Sequence, residues 1–219
     1  GYMNVLDLNN DGTKGEYKFG NYWGLPALQY TETDGIITMK PNVNGYNDNP
    51  GSIFWRNNNG AGPDGNKFME ASAFNNTNSI SALPNQEFNF YVVNNTLNDR
   101  YTFEMYALLF DSNYSIITEK AVNMNSPGKY TLTLDDSFDN DNGDLLQYGF
   151  RMKGINANPD TDWGSVKLSA TPPTNNPPQF DSDAPTTATE DVLYTYTPQV
   201  SDPDGDSLTI TAPTLPGWL

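Results

Sequence analysis

Apolar and polar residues alternate over short stretches along most of this chain. In residues 147–153, QYGFRMK, large apolar side chains alternate with polar or charged ones. A period of two residues is typical of a β-strand with one buried face. Gly, Pro, Asn and Asp interrupt the pattern about every ten residues, which indicates many short strands. The pattern therefore predicts an all-β fold, an antiparallel β-sandwich.

Nine strands follow from these runs. We predict them at residues 35–40, 52–56, 67–74, 87–93, 100–111, 114–122, 129–134, 147–153 and 163–170. The strand at 100–111 is apolar on both faces, so it lies in the middle of a sandwich or has its outer face covered. Residues 171–178, TPPTNNPP, are typical of a linker. The predicted units are thus a sandwich at 1–170 and a second, smaller unit at 179–219.

The composition of the chain limits the kinds of partner that it can bind. The 219 residues are 36% hydrophobic, enough for one sizeable core and a small second unit. The formal charge of -16 disfavours nucleic acid, anionic membranes and heavily sulfated polymers, since all of these need clustered basic residues. No 18-residue apolar span occurs in the sequence. We expect a soluble monomer that binds neither nucleic acid nor membrane.

The chain contains no cysteine and no histidine. Their absence excludes disulfides, zinc-thiolate sites, thiol nucleophiles and the Ser-His-Asp triad, but leaves glycoside hydrolysis by paired carboxylates open. An acidic, Asn-rich surface without cysteine is typical of a bacterial protein outside the cell, where calcium can replace disulfides. We therefore expect a secreted or cell-surface protein.

One loop near the start has the spacing of calcium ligands. Asp7, Asn9 and Asp11 stand on alternate residues before a glycine, which lets their oxygens converge at a sharp turn. The twelfth position of the motif holds Lys18 where a bidentate glutamate is expected, although Glu16 could supply a carboxylate. The alternative is an Asx-type turn without a metal.

Several aromatic residues adjoin loops rich in amides. An aromatic ring beside planar polar groups suits a sugar, whose C–H face stacks on the ring while its hydroxyls take hydrogen bonds. The predicted ligand-binding residues are Tyr22, Trp23, Tyr46, Trp55, Arg56, Asn57 and Trp163. In the alternative view Trp55 belongs to the core and Trp163 closes the end of the sandwich.

A second location for the site is a concave sheet face. There Tyr106 would be the stacking ring, next to the polar side chains of Gln147, Arg151 and Lys153 on a neighbouring strand. The sequence alone leaves both locations open.

Residues 147–159, QYGFRMKGINANP, with the strand and turn residues around 88–102, resemble a known group of modules. They are similar to the β-jelly-roll modules of secreted bacterial polysaccharidases such as agarases and laminarinases, over roughly residues 1–170. The resemblance implies a non-catalytic carbohydrate-binding module, often stabilised by calcium and joined by a linker to a catalytic domain. We expect a neutral or weakly charged ligand such as agarose or a β-glucan.

Residues 189–219 are similar to dystroglycan-type cadherin-like repeats with an immunoglobulin fold. The resemblance lies in Asp202-Pro203-Asp204-Gly205-Asp206 and in the segment 215–219, LPGWL. In that family the acids bind calcium between repeats, so Asp202, Asp204 and Asp206 are candidate ligands. The pattern of the family continues for several more strands, and we expect a partial unit with weak or no calcium binding.

Two other functions stay open. The cadherin-like segment favours an adhesin or cell-surface interaction segment. A small jelly-roll glycoside hydrolase or lyase would use carboxylates, and Glu70, Glu87 and Glu104 stand on strands but form no paired signature. The missing histidine also counts against a lyase, so we predict a module that is not itself an enzyme.

Overall fold

The computed structural model describes residues 1–47, 53–57, 64–78, 85–138, 145–203, 206–212 and 214. The chain divides into two compact units, Gly1–Pro172 and Pro173–Leu219. Apart from 3-10 turns at Leu25–Leu28 and Asp136–Phe138, the regular structure of the described residues is strand. None of its helical turns has the length and hydropathy that a membrane span needs. The predicted all-β class is confirmed.

The described residues of the first unit form eleven strands. They are β1 (Tyr2–Leu8), β2 (Lys14–Tyr22), β3 (Tyr30–Thr33), β4 (Ile36–Met39), β5 (Lys67–Thr77), β6 (Glu87–Asn95), β7 (Tyr101–Phe110), β8 (Ile116–Asn123), β9 (Gly128–Thr133), β10 (Leu145–Ile155) and β11 (Val166–Ser169). A six-stranded sheet has the order β2-β1-β5-β10-β7-β8, and a five-stranded sheet has the order β3-β4-β11-β6-β9. Every pairing is antiparallel, and the two sheets pack as a sandwich.

The main core lies between the two sheets. Alternate residues of β7 and β10, such as Phe103, Met105, Phe150 and Met152, point into it and are buried. This is the half-buried alternation that the sequence predicts for β10. A second cluster of Met3, Val5, Leu28, Met69 and Ala71 covers the inner side of β1 and β5. Together these clusters fix which face of the six-stranded sheet is outer.

In the first unit one predicted strand is wrong, and three observed strands have no predicted counterpart. Ile53–Trp55 form a turn, and Arg56 makes an isolated bridge with Gly65, so the strand predicted at 52–56 is wrong in its described part. The sequence pattern does not predict β1, β2 and β3 of the first unit. The register of β2 shifts twice against β1, after Val5 and after Leu6, and the shifts break the period of two along this edge.

The second unit has a single small sheet among its described residues. β12 (Gln179–Phe180) pairs with β13 (Val200–Ser201), and the Tyr196 hydroxyl donates to the carbonyl of Ser182 at 2.9 Å. None of the described residues of this unit is a buried hydrophobic one. Asp204 and the LPGWL segment lie outside the described residues. The unit therefore contains strands but no described core.

Candidate functional site

One row of side chains crosses the whole outer face of the six-stranded sheet. Its directly paired residues, from edge to edge, are Tyr22, Tyr2, Ser72, Arg151, Glu104 and Asn123. Directly paired residues of an antiparallel sheet point to the same face. Their chain neighbours Met3, Ala71, Met105 and Met152 belong to the two cores, so the row points outward.

An ion network lies in the middle of this outer face. The Arg151 Nε donates to the Glu104 Oε1 at 2.6 Å, and the Lys153 Nζ lies 2.7 Å from the same oxygen. Arg151 also pairs with Glu119 on β8. Burial alone would lower the pKa of Arg151, but Glu104 and Glu119 outweigh it and the pKa is raised. The charges of these four side chains therefore satisfy each other.

Tyr106 lies beneath this network and offers no ring face. It is 1% exposed, and the Arg151 guanidinium carbon stands 4.7 Å from the ring centre. Its hydroxyl donates to the Gln147 Oε1 at 3.0 Å, and burial raises the pKa of the phenol. The alternative in which Tyr106 stacks on a sugar is therefore wrong.

Three tyrosines at the β2 edge of the same face form what we call the tyrosine surface: Tyr2, Tyr17 and Tyr22. Tyr22 is 70% exposed and Tyr17 is 55% exposed. The Tyr2 ring meets the Tyr22 ring edge to face, with centres 5.1 Å apart, and burial followed by the neighbouring Tyr17 raises the pKa of the Tyr2 phenol. A Cβ at Gly20 would lie 2.5 Å from the Tyr2 hydroxyl, so the glycine makes room for that ring. Tyr2 therefore contacts the exposed ring of Tyr22 and lies near that of Tyr17.

Polar groups border the tyrosine surface. The Asn4 Nδ2 donates to the Glu70 Oε2 at 3.3 Å, and the Lys14 Nζ donates to the Glu70 Oε1 at 3.4 Å. Asn4 pairs directly with Gly20, which places this cluster beside the three rings. An amide, a carboxylate and an ammonium next to exposed rings are the elements of a sugar site.

The loops after β1, β4, β6, β8 and β10 meet at one end of the sandwich. This follows from the strand directions, and it brings Tyr46, Trp55, Arg56, Asn57 and Trp163 to that end. Tyr22 and Trp23 lie at the opposite end of β2. The predicted ligand-binding residues therefore do not form one site.

Tyr46 and Arg56 contact each other in the loop end. Tyr46 is 2% exposed, and the Arg56 guanidinium carbon lies 4.2 Å from its ring centre. The Arg56 Nε donates to the Tyr46 carbonyl at 2.8 Å. The Tyr46 ring is therefore covered in this structure, and its role in binding stays a prediction. The neighbouring Asn57 lines a polar groove with Asp11, Asp64 and Arg100.

Trp23 and Trp55 are partly buried against the second core cluster. A Cβ at Gly45 would lie 2.6 Å from the Trp55 ring, so the loop backbone covers that ring closely. Phe54 meets the Trp55 ring edge to face, with centres 4.8 Å apart. Packing of this kind favours the alternative in which Trp55 belongs to the core.

Trp163 is both a core residue and a pocket wall. It packs against the main core, and its indole Nε1 donates to the Asn158 carbonyl at 3.0 Å. The Arg100 guanidinium carbon lies 5.7 Å from its ring centre. Trp163 also lines a pocket of about 400 Å³ with Gln29, Lys40, Asp160 and Asp162. Its role in binding stays a prediction.

The β1–β2 hairpin already satisfies the oxygens that calcium would need. Asp7 lies 2.8 Å from the Lys18 Nζ and 3.3 Å from the Lys67 Nζ, and Lys18 also pairs with Glu16 at 2.8 Å. These cations lower the pKa of Asp7. The Asp11 Oδ1 accepts from the Thr13 hydroxyl at 2.6 Å, as in an Asx-type turn. This arrangement does not fit a calcium ion.

In the second unit, too, a described acidic side chain already accepts a hydrogen bond. The Asp202 Oδ1 accepts from the backbone N–H of Asp206 at 3.3 Å. Throughout the described part of the chain, no three acidic side chains are grouped closely enough to hold a metal ion. Calcium binding at Asp202, Asp204 and Asp206 stays a prediction.

The strand glutamates do not share one cleft. Glu70 and Glu104 lie on the same outer face, but β10 separates their strands and their partners on β10 are two residues apart, which sets their backbones roughly 12 Å apart. Glu70 is paired with Lys14, and Glu104 with Arg151 and Lys153. Glu87 stands on β6 of the other sheet.

Comparison with known proteins adds no identity. No protein-family model matches this chain, and no curated protein matches it. Sequence reasoning named Tyr22 but missed Tyr2 and Tyr17. The signal that could have found Tyr2 is the alternation of Tyr2 and Asn4 with the apolar Met3 and Val5.

Proposed function

We propose that the first unit is a non-catalytic carbohydrate-binding module whose ligand lies on the tyrosine surface. One observation carries the proposal: Tyr17 and Tyr22 are both exposed on the outer sheet face, close to Tyr2 and to the cluster of Asn4, Glu70 and Lys14. Exposed apolar rings bordered by polar groups mark binding surfaces on soluble proteins.

The number of rings matters for affinity. A single stacking contact contributes on the order of 1 kcal/mol, which alone is weaker than millimolar binding. Tyr17 and Tyr22 together, with hydrogen bonds from the neighbouring amide and carboxylate, reach the range in which a soluble module is retained on a polymer. A polymer also rebinds along its length, which raises the apparent affinity further.

Charge supports a neutral or weakly charged ligand. The cations of the outer face are already paired: Lys14 with Glu70, and Arg151 and Lys153 with Glu104. The formal charge of -16 also repels polyanions at low salt. Agarose or a β-glucan therefore fits this face better than a highly sulfated polymer.

In the parent protein such a module would tether a secreted polysaccharide-degrading domain to its substrate. The Pro-rich stretch at 171–178 supports this role, because it is a semi-rigid spacer. The acidic composition without cysteine supports a place outside the cell.

Depletion of the protein from solution by insoluble polysaccharides tests the proposal. The protein is mixed with agarose, β-glucan and charged polymers, and reducing sugar is measured in the same tubes. We expect retention on a neutral polymer without sugar release. Release of reducing sugar would indicate a hydrolase, and lack of retention on every polymer would leave the adhesin as the better account.

A further inference from the structure

A cavity of about 260 Å³ lies between the two sheets, where β3 forms the edge of the five-stranded sheet. Its walls are mainly aromatic and aliphatic side chains of both inner faces: Tyr30, Ile37, Phe88, Phe90, Tyr148 and Phe150. The cavity opens near Leu25 and Glu32, whose side chains are exposed. It is separate from the tyrosine surface, which lies on the outer face.

Ring pairs hold the walls of this cavity in place. Phe88 stacks on Tyr148 with centres 4.7 Å apart, and Phe90 meets Phe150 edge to face at 4.8 Å. Phe150 also stacks on Phe103 in the main core at 5.8 Å. Each pair contributes about 0.5–1.5 kcal/mol beyond its buried area, so collapse of the space would break favourable contacts. The cavity is therefore a fixed feature of the sandwich.

The size of the cavity limits its occupant. An engineered apolar cavity of about 150 Å³ in another protein stays dry and binds benzene. The 260 Å³ found here leaves room for a second fused ring. Because aromatic and aliphatic side chains form most of the lining, a flat apolar molecule fills the space better than water does.

Polar groups at the mouth of the cavity determine which substituent a bound molecule can carry. The Tyr30 hydroxyl donates to the Glu32 Oε2 at 3.2 Å, and both residues line the cavity. Burial, with Glu32 beside it, raises the pKa of Tyr30 to about 12, so the phenol stays protonated at neutral pH. The Glu32 carboxylate is exposed and can accept a further hydrogen bond.

We propose that this intersheet cavity binds a flat bicyclic aromatic compound whose single N–H or O–H donor bonds to Glu32. Most small-ligand sites combine an apolar lining with a few placed polar groups, and this cavity has both. The inference does not depend on the carbohydrate role of the outer face.

Indole and indene are a matched pair of probes, since they have nearly the same shape and only indole carries an N–H. Each is titrated into the full chain and followed by NMR. We expect saturable binding, with indole at least fivefold tighter, and intermolecular contacts from indole to the rings of Phe88 and Tyr148. Lack of saturation, contacts to other residues or equal affinity for both probes would overturn the proposal.

Two variants locate the probe independently. Ala73 is buried and lines the cavity, so Ala73→Leu fills the space and should weaken indole binding at least tenfold. The control Ala121→Leu adds the same volume at an exposed position of β8 and should leave the affinity within twofold. Equal effects of the two would contradict the site. If Ala73→Leu does not fold, Glu32→Met decides the matter, because it removes the acceptor and should bring the affinities for indole and indene close together.

Discussion

Burial separates the aromatic residues that can meet a ligand from those that cannot. Tyr46 and Tyr106 are both covered by an arginine, while Tyr22 keeps most of its ring exposed. A covered ring cannot stack on a sugar unless its cover moves, and each arginine here is fixed by further bonds. Exposure of each ring therefore identifies the tyrosine surface better than its distance from a loop.

Trp163→Ala should destabilise the protein without removing polysaccharide binding. Full burial of a tryptophan contributes about 3–5 kcal/mol, and Trp163 is partly buried with a bonded indole, so we expect a loss of about 2–3 kcal/mol. Urea unfolding measures the loss, and depletion by the polymer measures binding. Trp163→Phe is the control, since it keeps most of the packing. Abolished retention at unchanged stability would instead place the sugar on Trp163.

The lowered pKa of Asp135 should make the stability of the fold depend on pH in the acid range. The Lys120 Nζ, 2.7 Å from its Oδ2, and then Ser137 lower the pKa of Asp135 from 3.8 to about 2. A lowered pKa stabilises the fold above the unfolded value, and this contribution is lost as pH falls through the folded value. The melting temperature of the wild type should thus fall more than that of Asp135→Asn between about pH 4 and pH 2. Parallel profiles would contradict this.

The alternation of residues along a strand predicts on which face of the sheet a side chain lies. It does not predict which other side chains cover it. Alternation correctly places Tyr106 and Arg151 opposite the core residues of their strands. The burial of Tyr106 depends on the Arg151 side chain from the next strand, a contact that no single run of residues reveals. The tyrosine surface was missed for a related reason, because the pairing of Tyr2 with Tyr22 needs the hairpin register.

At the scale of the strands, the ion network ties β7, β8 and β10 together. Arg151 is the residue that reaches both Glu104 on β7 and Glu119 on β8. The side chains of Arg151 and Glu104 are 12% and 6% exposed, so this network belongs to the buried class of ion pairs. Loss of this network should therefore destabilise the protein far more than loss of a surface ion pair does.

Arg151→Met should destabilise the protein by about 2–3 kcal/mol, because it leaves Glu104 buried with Lys153 alone. Adding Glu104→Gln should recover part of the loss, since no unpaired charge is then buried. Lys120→Met is the matched control, as it breaks an exposed pair with Asp135 and should cost much less stability than Arg151→Met. Denaturant unfolding compares the variants, and equal losses for Arg151→Met and Lys120→Met would refute the distinction.

The sequence predicts some strands of the sandwich much better than others. β10 and β7 have clear alternation and were predicted nearly at their true bounds. β2 was missed because its register shifts and its mixture of charged and aromatic residues hide the period. The turn at 53–57 carries aromatic residues that imitate a strand, although tertiary contacts with Gly45 and the second core hold it.

At the scale of the whole molecule, the absence of cysteine leads us to expect stabilisation by calcium, but Asp7 and Glu16 of the hairpin are paired with lysines. We expect the chelator EGTA to leave the melting temperature unchanged, because no bound ion would be removed from this hairpin. Excess calcium chloride is the control and should also cause no shift. A fall of several degrees on chelation that calcium reverses would show that the fold depends on the ion.

The central claim is that polysaccharide binds to the tyrosine surface, and two exposed tyrosines test it most directly. Tyr22 is 70% exposed within that surface, whereas Tyr114 is 73% exposed in the turn between β7 and β8. The measurement is the affinity of Tyr22→Ala and Tyr114→Ala for the neutral polymer that retains the wild type. We expect Tyr22→Ala to bind about tenfold more weakly, the loss of one good ring contact, and Tyr114→Ala to bind like the wild type. Wild-type affinity in Tyr22→Ala, or the same loss in both variants, would contradict the account.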